Sequence, residues 1–236
     1  MVMRRTFVLL SAMVLCLDGG ALSARAGEIR GHIVIVHRLT RQRVSIPDYS
    51  LRGAALPAEE PAAAEETPLA SEYLKLAVFL KGESLPSPSP SAATLTQHNK
   101  QFEPEVIIVP VGSAVAFPNR DPIFHNVFSL SAAKQLDLGY YPSGESRTVQ
   151  FDHPGIVQVY CHLHPDMSAA IVVAPSSFLA QPGTDGRFSF SDVPAGTYEL
   201  VVWHKSAGFF RQAAVVRSDG VSEVTMTIPV RKAETP

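Results

Sequence analysis

Ile156-Val157-Gln158-Val159-Tyr160-Cys161-His162-Leu163-His164-Pro165-Asp166-Met167 joins an apolar strand to a loop dense in metal donors. The first five residues are short, β-branched and aromatic, the pattern of a strand. The next seven carry a thiol, two imidazoles and a thioether. Strand alternation puts Cys161 on the same face as Val157 and Val159, towards a core, and turns Tyr160 and His162 the other way. A further imidazole, His125, stands 36 residues upstream and is followed by Asn126.

Whether Cys161 is a free ligand depends on the rest of the chain, which holds only one other cysteine, Cys16. Arg4 and Arg5 precede an apolar run from Thr6 to Leu17, and Ala24-Arg25-Ala26 offers a small-residue cleavage site. This is the anatomy of a secretory signal peptide over residues 1–26, too short in its apolar part to span a bilayer. Cys16 lies inside that apolar run and would leave with it. The expected location is the periplasm, where paired cysteines become disulfides. A lone mature thiol there suits metal ligation better than cross-linking. Loss of residues 1–26 leaves 17 basic groups against 21 acidic ones. No basic cluster remains, so nucleic acid is not an expected partner, and no membrane span is expected.

Outward from the motif, short strands and turns recur with almost no helical periodicity. Strands are expected near residues 105–111, 114–117, 127–130, 146–151, 156–161 and 169–174, with a polar turn over 119–126 delivering His125. Residues 31–36 and 74–80 also read as strands. An Ala-, Glu- and Pro-rich insertion is expected at 53–71, and prolines at 86, 88 and 90 mark another exposed loop. From about Pro175, turns at 184–186, 192–196 and 218–220 separate further apolar runs. The fold class is all-β, as two sandwiches: a metal-bearing unit over 72–174 and a small unit over 175–230, with a tail at 231–236. The membership of residues 27–52 is open between the two. A unit of about 55 residues is near the lower limit for an independent core.

Two His, one Cys and a distant Met form the ligand set of a mononuclear blue-copper site. Taken singly, each residue has a plain explanation: Met167 as core filler, His125 as a surface or capping residue, Cys161 as an inert buried thiol. Their coincidence points to the metal. The sole mature cysteine sits in Cys-x2-His-x2-Met, with a histidine upstream at a strand end. A trinuclear oxidase cluster is not supported, because Tyr160 precedes the cysteine and His162-Leu163-His164 is the only His-x-His among eight histidines. His162 reads as a solvent-facing residue. No nucleophile elbow, phosphate loop or HExxH helix occurs, so no enzyme activity is expected.

These residues resemble the cupredoxins. The loop matches the spacing of amicyanin, with Pro165 after the loop histidine and His125-Asn126 upstream. The stretch Phe117-Pro118-Asn119-Arg120-Asp121-Pro122-Ile123-Phe124-His125-Asn126-Val127-Phe128-Ser129 looks like periplasmic proteins of the methylamine-utilisation or plastocyanin-like type. The resemblance implies a Greek-key sandwich holding one copper ion on His125, Cys161, His164 and Met167. It also implies that Asn126 hydrogen-bonds across to the ligand loop. Residues Asp185 to His204 are similar to the carboxypeptidase regulatory-like domain, a transthyretin-like sandwich.

The expected function is periplasmic single-copper electron transfer. Electrons would leave by the edge of His164 towards a redox partner that the sequence does not name, with Tyr160 as a second route. The competing readings are a copper-binding or copper-site assembly protein and a cell-envelope interaction module, neither of which transfers electrons.

Overall fold

The computed structural model describes residues 26–40, 69–218 and 220–229. Residues 1–25 of the expected signal peptide with Cys16, the 41–52 part of the N-terminal segment, the 53–68 part of the insertion and the 231–236 tail lie outside these residues. The described chain is all-β: seventeen strands in five sheets and one four-residue helix, α1 (Ala70–Tyr73).

The strands build four stacked layers. One outer layer has the order β14 (Arg187–Pro194), β1 (Ala26–Ile35), β17 (Val221–Ile228). It faces a sheet ordered β13 (Leu179–Ala180), β2 (Leu76–Lys81), β15 (Gly196–His204), β16 (Gly208–Val216). Ile29, Ile33, Phe188, Leu76, Leu200 and their neighbours fill the space between these two sheets. A five-stranded sheet follows, ordered β6 (Val106–Pro110), β12 (Ser168–Ala174), β11 (Gly155–Tyr160), β8 (His125–Ser131), β9 (Lys134–Tyr141). The last layer is β10 (Ser146–Phe151), β7 (Ser113–Pro118), β3 (Ala92–Thr94), joined by the hairpin β4 (Thr96–His98) and β5 (Gln101–Glu103). Val115, Phe117, Val127, Val157, Val159 and Ile171 fill this second sandwich, and Cys161 and Met167 belong to the same cluster.

A third apolar cluster cements the two sandwiches. In β2, Leu76, Val78 and Leu80 enter the first core, while Ala77 and Phe79 point the opposite way. There they meet Val201 and Trp203 of β15 together with Ala170, Val172 and Ala174 of β12. Strands buried on both faces read as unbroken apolar runs, which accounts for Leu76-Ala77-Val78-Phe79-Leu80 and for Ala169–Ala174.

Sheet pairing differs from the expected unit boundaries in one respect. Residues 76–81, placed by sequence in the 72–174 unit, pair antiparallel with β15, Val78 opposite Val202. β1 likewise joins the C-terminal strands, antiparallel to β14 and parallel to β17. The physical reason is twofold. A run apolar on both faces has no period-2 signature to choose its partner, and a C-terminal segment of about 55 residues is near the lower limit for closing a core alone. It closes by taking strands from the start of the chain. β9 and β3 to β5 were not expected from sequence; they are short or half-exposed and largely polar.

Candidate metal centre

His125 opens β8 and is fully buried. The turn before it is shaped by Asn119, whose Nδ2 donates to the carbonyls of Ile123 (2.8 Å) and Tyr141 (3.1 Å). Asn119 Oδ1 accepts the Asp121 N–H at 3.0 Å. The turn thereby aims the Asp121 carboxylate inward, where Oδ2 lies 2.7 Å from His125 Nε2. Asp121 also accepts the backbone N–H of Asn99 (2.6 Å) and of Lys100 (2.8 Å). Those two residues form the two-residue turn between β4 and β5, both with left-handed φ, 53° and 56°. Burial pushes the Asp121 carboxyl up. The Lys100 N–H, His125 and the Asn99 N–H together outweigh burial and hold the group below its ordinary value. An ionised carboxylate accepts the Nε2 proton, which fixes the tautomer and leaves His125 Nδ1 as a lone-pair donor.

That nitrogen faces the thiol. Cys161 is a buried, free cysteine just beyond β11, and its Sγ lies 3.8 Å from His125 Nδ1 and 3.7 Å from His164 Nδ1. One donor atom from each residue falls within 4.8 Å of the other two. The two imidazole rings meet edge to face, centroids 4.8 Å apart. The loop closes on itself: the Cys161 N–H donates to the Met167 carbonyl (3.2 Å), and the Met167 N–H to the His164 carbonyl (2.9 Å). Met167 is buried in the same apolar cluster as Cys161. His164 is only partly buried, and desolvation, then His125 and Lys100, push it below the ordinary histidine value, favouring the neutral ring that a metal needs.

The donor set fits copper. Bonds of about 2.0–2.3 Å from one ion to nitrogen and sulfur put neighbouring donors roughly 3.3–3.8 Å apart, the range of the two Sγ to Nδ1 separations. Two imidazoles with a thiol select a soft or borderline metal over magnesium or calcium, which take oxygen.

The remaining expected residues fall as follows. Tyr160 and His162 point outward, as alternation requires, and both border Phe128. His162 stacks on that ring at 3.8 Å with an interplanar angle of 1°. Asn126 is buried beside His125, but its Nδ2 donates to Asp137 Oδ1 of β9 at 2.7 Å, and its Oδ1 has no hydrogen-bond partner. The expected bond from Asn126 to the ligand loop is thus replaced by one to the neighbouring strand. Asp137 in turn sits 3.9 Å from His162 Nε2, so any link to the loop is indirect. Asp121 escaped the sequence reading. A carboxylate four residues before the histidine is a visible signal, but the hairpin that cradles it lies some twenty residues earlier.

No protein-family profile matches the chain, and no curated protein matches it. Solved structures with a partial likeness include a purple cupredoxin from Nitrosopumilus maritimus, 21% identical, TM-score 0.32, covering 35% of this chain and 99% of that one. A point mutant of amicyanin in the Cu(I) state is also 21% identical, TM-score 0.34, covering 41% of this chain and 98% of that one. A copper-containing nitrite reductase from Thermus scotoductus is 23% identical, TM-score 0.34, covering 40% of this chain and 25% of that one. Each likeness is confined to a minor part of this chain, and the site stands on its own geometry.

Proposed function

We propose that this chain is a periplasmic single-copper electron carrier in which His125, Cys161 and His164 would be the strong ligands and Met167 a weak fourth one. The observation that carries the reading is the buried Cys161 Sγ with an imidazole Nδ1 on each side at 3.7 and 3.8 Å. A copper ion held there would supply a one-electron Cu(II)/Cu(I) couple. The protein does the rest. Asp121 fixes the His125 tautomer, and the apolar cluster around Cys161 and Met167 excludes water and restrains the loop. Partly exposed His164 offers the route to a redox partner, and exposed Leu163 and Phe124, each beside a ligand in sequence, give that partner apolar surface. Tyr160, 40% exposed next to Cys161, is the second route.

Among the described residues one group of His, Cys and acidic side chains has metal-holding geometry, which supports a single ion. The export-signal pattern read at 1–26 supports the periplasmic location, and no described helix is long and apolar enough to cross a membrane. The C-terminal sandwich is proposed as a carboxypeptidase regulatory-like module.

The test is an absorption spectrum of copper-loaded protein. One copper per chain and an intense visible thiolate-to-Cu(II) band are expected, and Cys161→Ser removes the band. A colourless protein that takes only Cu(I) favours the assembly reading. Copper binding that survives Cys161→Ser overturns the ligand assignment.

A further inference from the structure

Lys205, in the turn after β15, belongs to the C-terminal sandwich but reaches the metal sandwich. Its Nζ donates to the Ser168 carbonyl (3.0 Å), to Ser168 Oγ (3.4 Å) and to Glu105 Oε1 (2.7 Å). An ammonium has three donors, and all three are used here by a side chain only 13% exposed. Ser168 follows Met167 directly and opens β12, opposite Tyr160 of β11. The ammonium therefore grips the point where the ligand loop re-enters the sheet, one residue from the carbonyl that receives the Cys161 N–H.

The turn carrying Lys205 is itself held. The Lys205 N–H donates to the Lys75 carbonyl at 3.1 Å. His204, fully buried, accepts the N–H groups of Ser206 and Ala207 on Nδ1, each at 3.2 Å. Its Nε2 lies 3.1 Å from Glu72 Oε2. Glu72, also buried, accepts the N–H groups of Leu39 (3.2 Å) and Thr40 (3.0 Å). A polar chain thus runs from the N-terminal segment through the C-terminal sandwich to the ligand loop.

We propose that Lys205 is a positioning residue for the metal centre: the second sandwich, through this ammonium, fixes the C-terminal hinge of loop 161–167. As far as it concerns copper the inference rests on the ligand assignment above; the hinge itself does not.

The test is amide hydrogen exchange on the full-length metal-free protein. Lys205→Met keeps the aliphatic stem and removes the donors. The amides of Cys161 and Met167 then exchange about tenfold faster, the scale expected for losing a charged hydrogen bond, while Ile171 and Val173 in β12 keep their rates. Lys205→Arg, which retains the charge for Glu105, stays nearer the wild type. Unchanged rates at Cys161 and Met167, or rates rising in step with those of Ile171 and Val173, overturn the proposal. If Lys205→Met does not fold, Glu105→Gln at a half-exposed position must accelerate the same two amides by a smaller factor, and unchanged rates there overturn it. In copper-loaded protein, a chelator strips Lys205→Met several-fold faster than wild type, and equal rates count against the hinge. A wild type that takes up no copper overturns the ligand assignment, and the exchange rates then decide the hinge alone.

Discussion

At the scale of single residues, the centre is an arrangement for presenting lone pairs without water. Asp121 has the widest reach, because it satisfies two N–H groups of a strained turn and one imidazole at once. Asp121→Asn keeps an acceptor but loses the charge. Copper affinity is expected to fall about 10–100-fold, the usual cost of losing an outer hydrogen-bond partner of a metal-bound histidine, as read by chelator competition. Met167→Leu is expected to leave the thiolate band in place and raise the reduction potential, as read by spectroelectrochemistry. His125, Cys161 and His164, the group that the structure brings together, stand out in the sequence because their types and spacing are themselves the chemistry. Asp121 does not, since its role appears only when a hairpin distant in sequence folds over it.

Among elements, legibility followed burial. Strands with one wet face, such as β7 with its alternating burial, announced themselves. β2, buried through five consecutive residues, was readable as a strand but not as a partner of β15. β2 leads back to α1, whose Glu72 is packed with His204. Burial pushes Glu72 up, but the Thr40 hydroxyl, Lys75, the Thr40 N–H and His204 outweigh it and carry the group below its ordinary value of 4.5. Burial also pushes His204 below its ordinary 6.5, more than Glu72 pulls it up. Both shifts act in the same direction. The unfolded chain binds protons that the native state refuses, so stability falls as pH drops. The loss begins near pH 6.5 through His204 and gains a second limb below pH 4.5 through Glu72. Melting temperature against pH, measured without metal, is expected to show both, and His204→Asn to flatten the first.

Over the whole molecule, the joint between the sandwiches is a third core rather than a surface contact. Trp203 is 4% exposed within it, in one cluster with Phe79 and with Ala170, Val172 and Ala174 of β12. Trp203→Ala is expected to cost about 3–5 kcal/mol, measured by denaturant unfolding, and to lower the protection of β12 as well as β15. Sequence reading found two sandwiches but put the seam at one point in the chain near residue 175. The pairing of β1 and β2 with later strands could not be read locally, because it joins segments more than one hundred residues apart.

That pairing also dictates a timetable. β1 precedes every other described strand, yet its neighbours β14 and β17 both come later in the chain than the whole of the other sandwich. Every strand of the metal sandwich, from Ala92 to Ala174, has been made before Arg187. Domains tend to fold as their sequence emerges, so an emerging chain can complete the His125–Cys161–His164 pocket while β1 still waits for an edge to join.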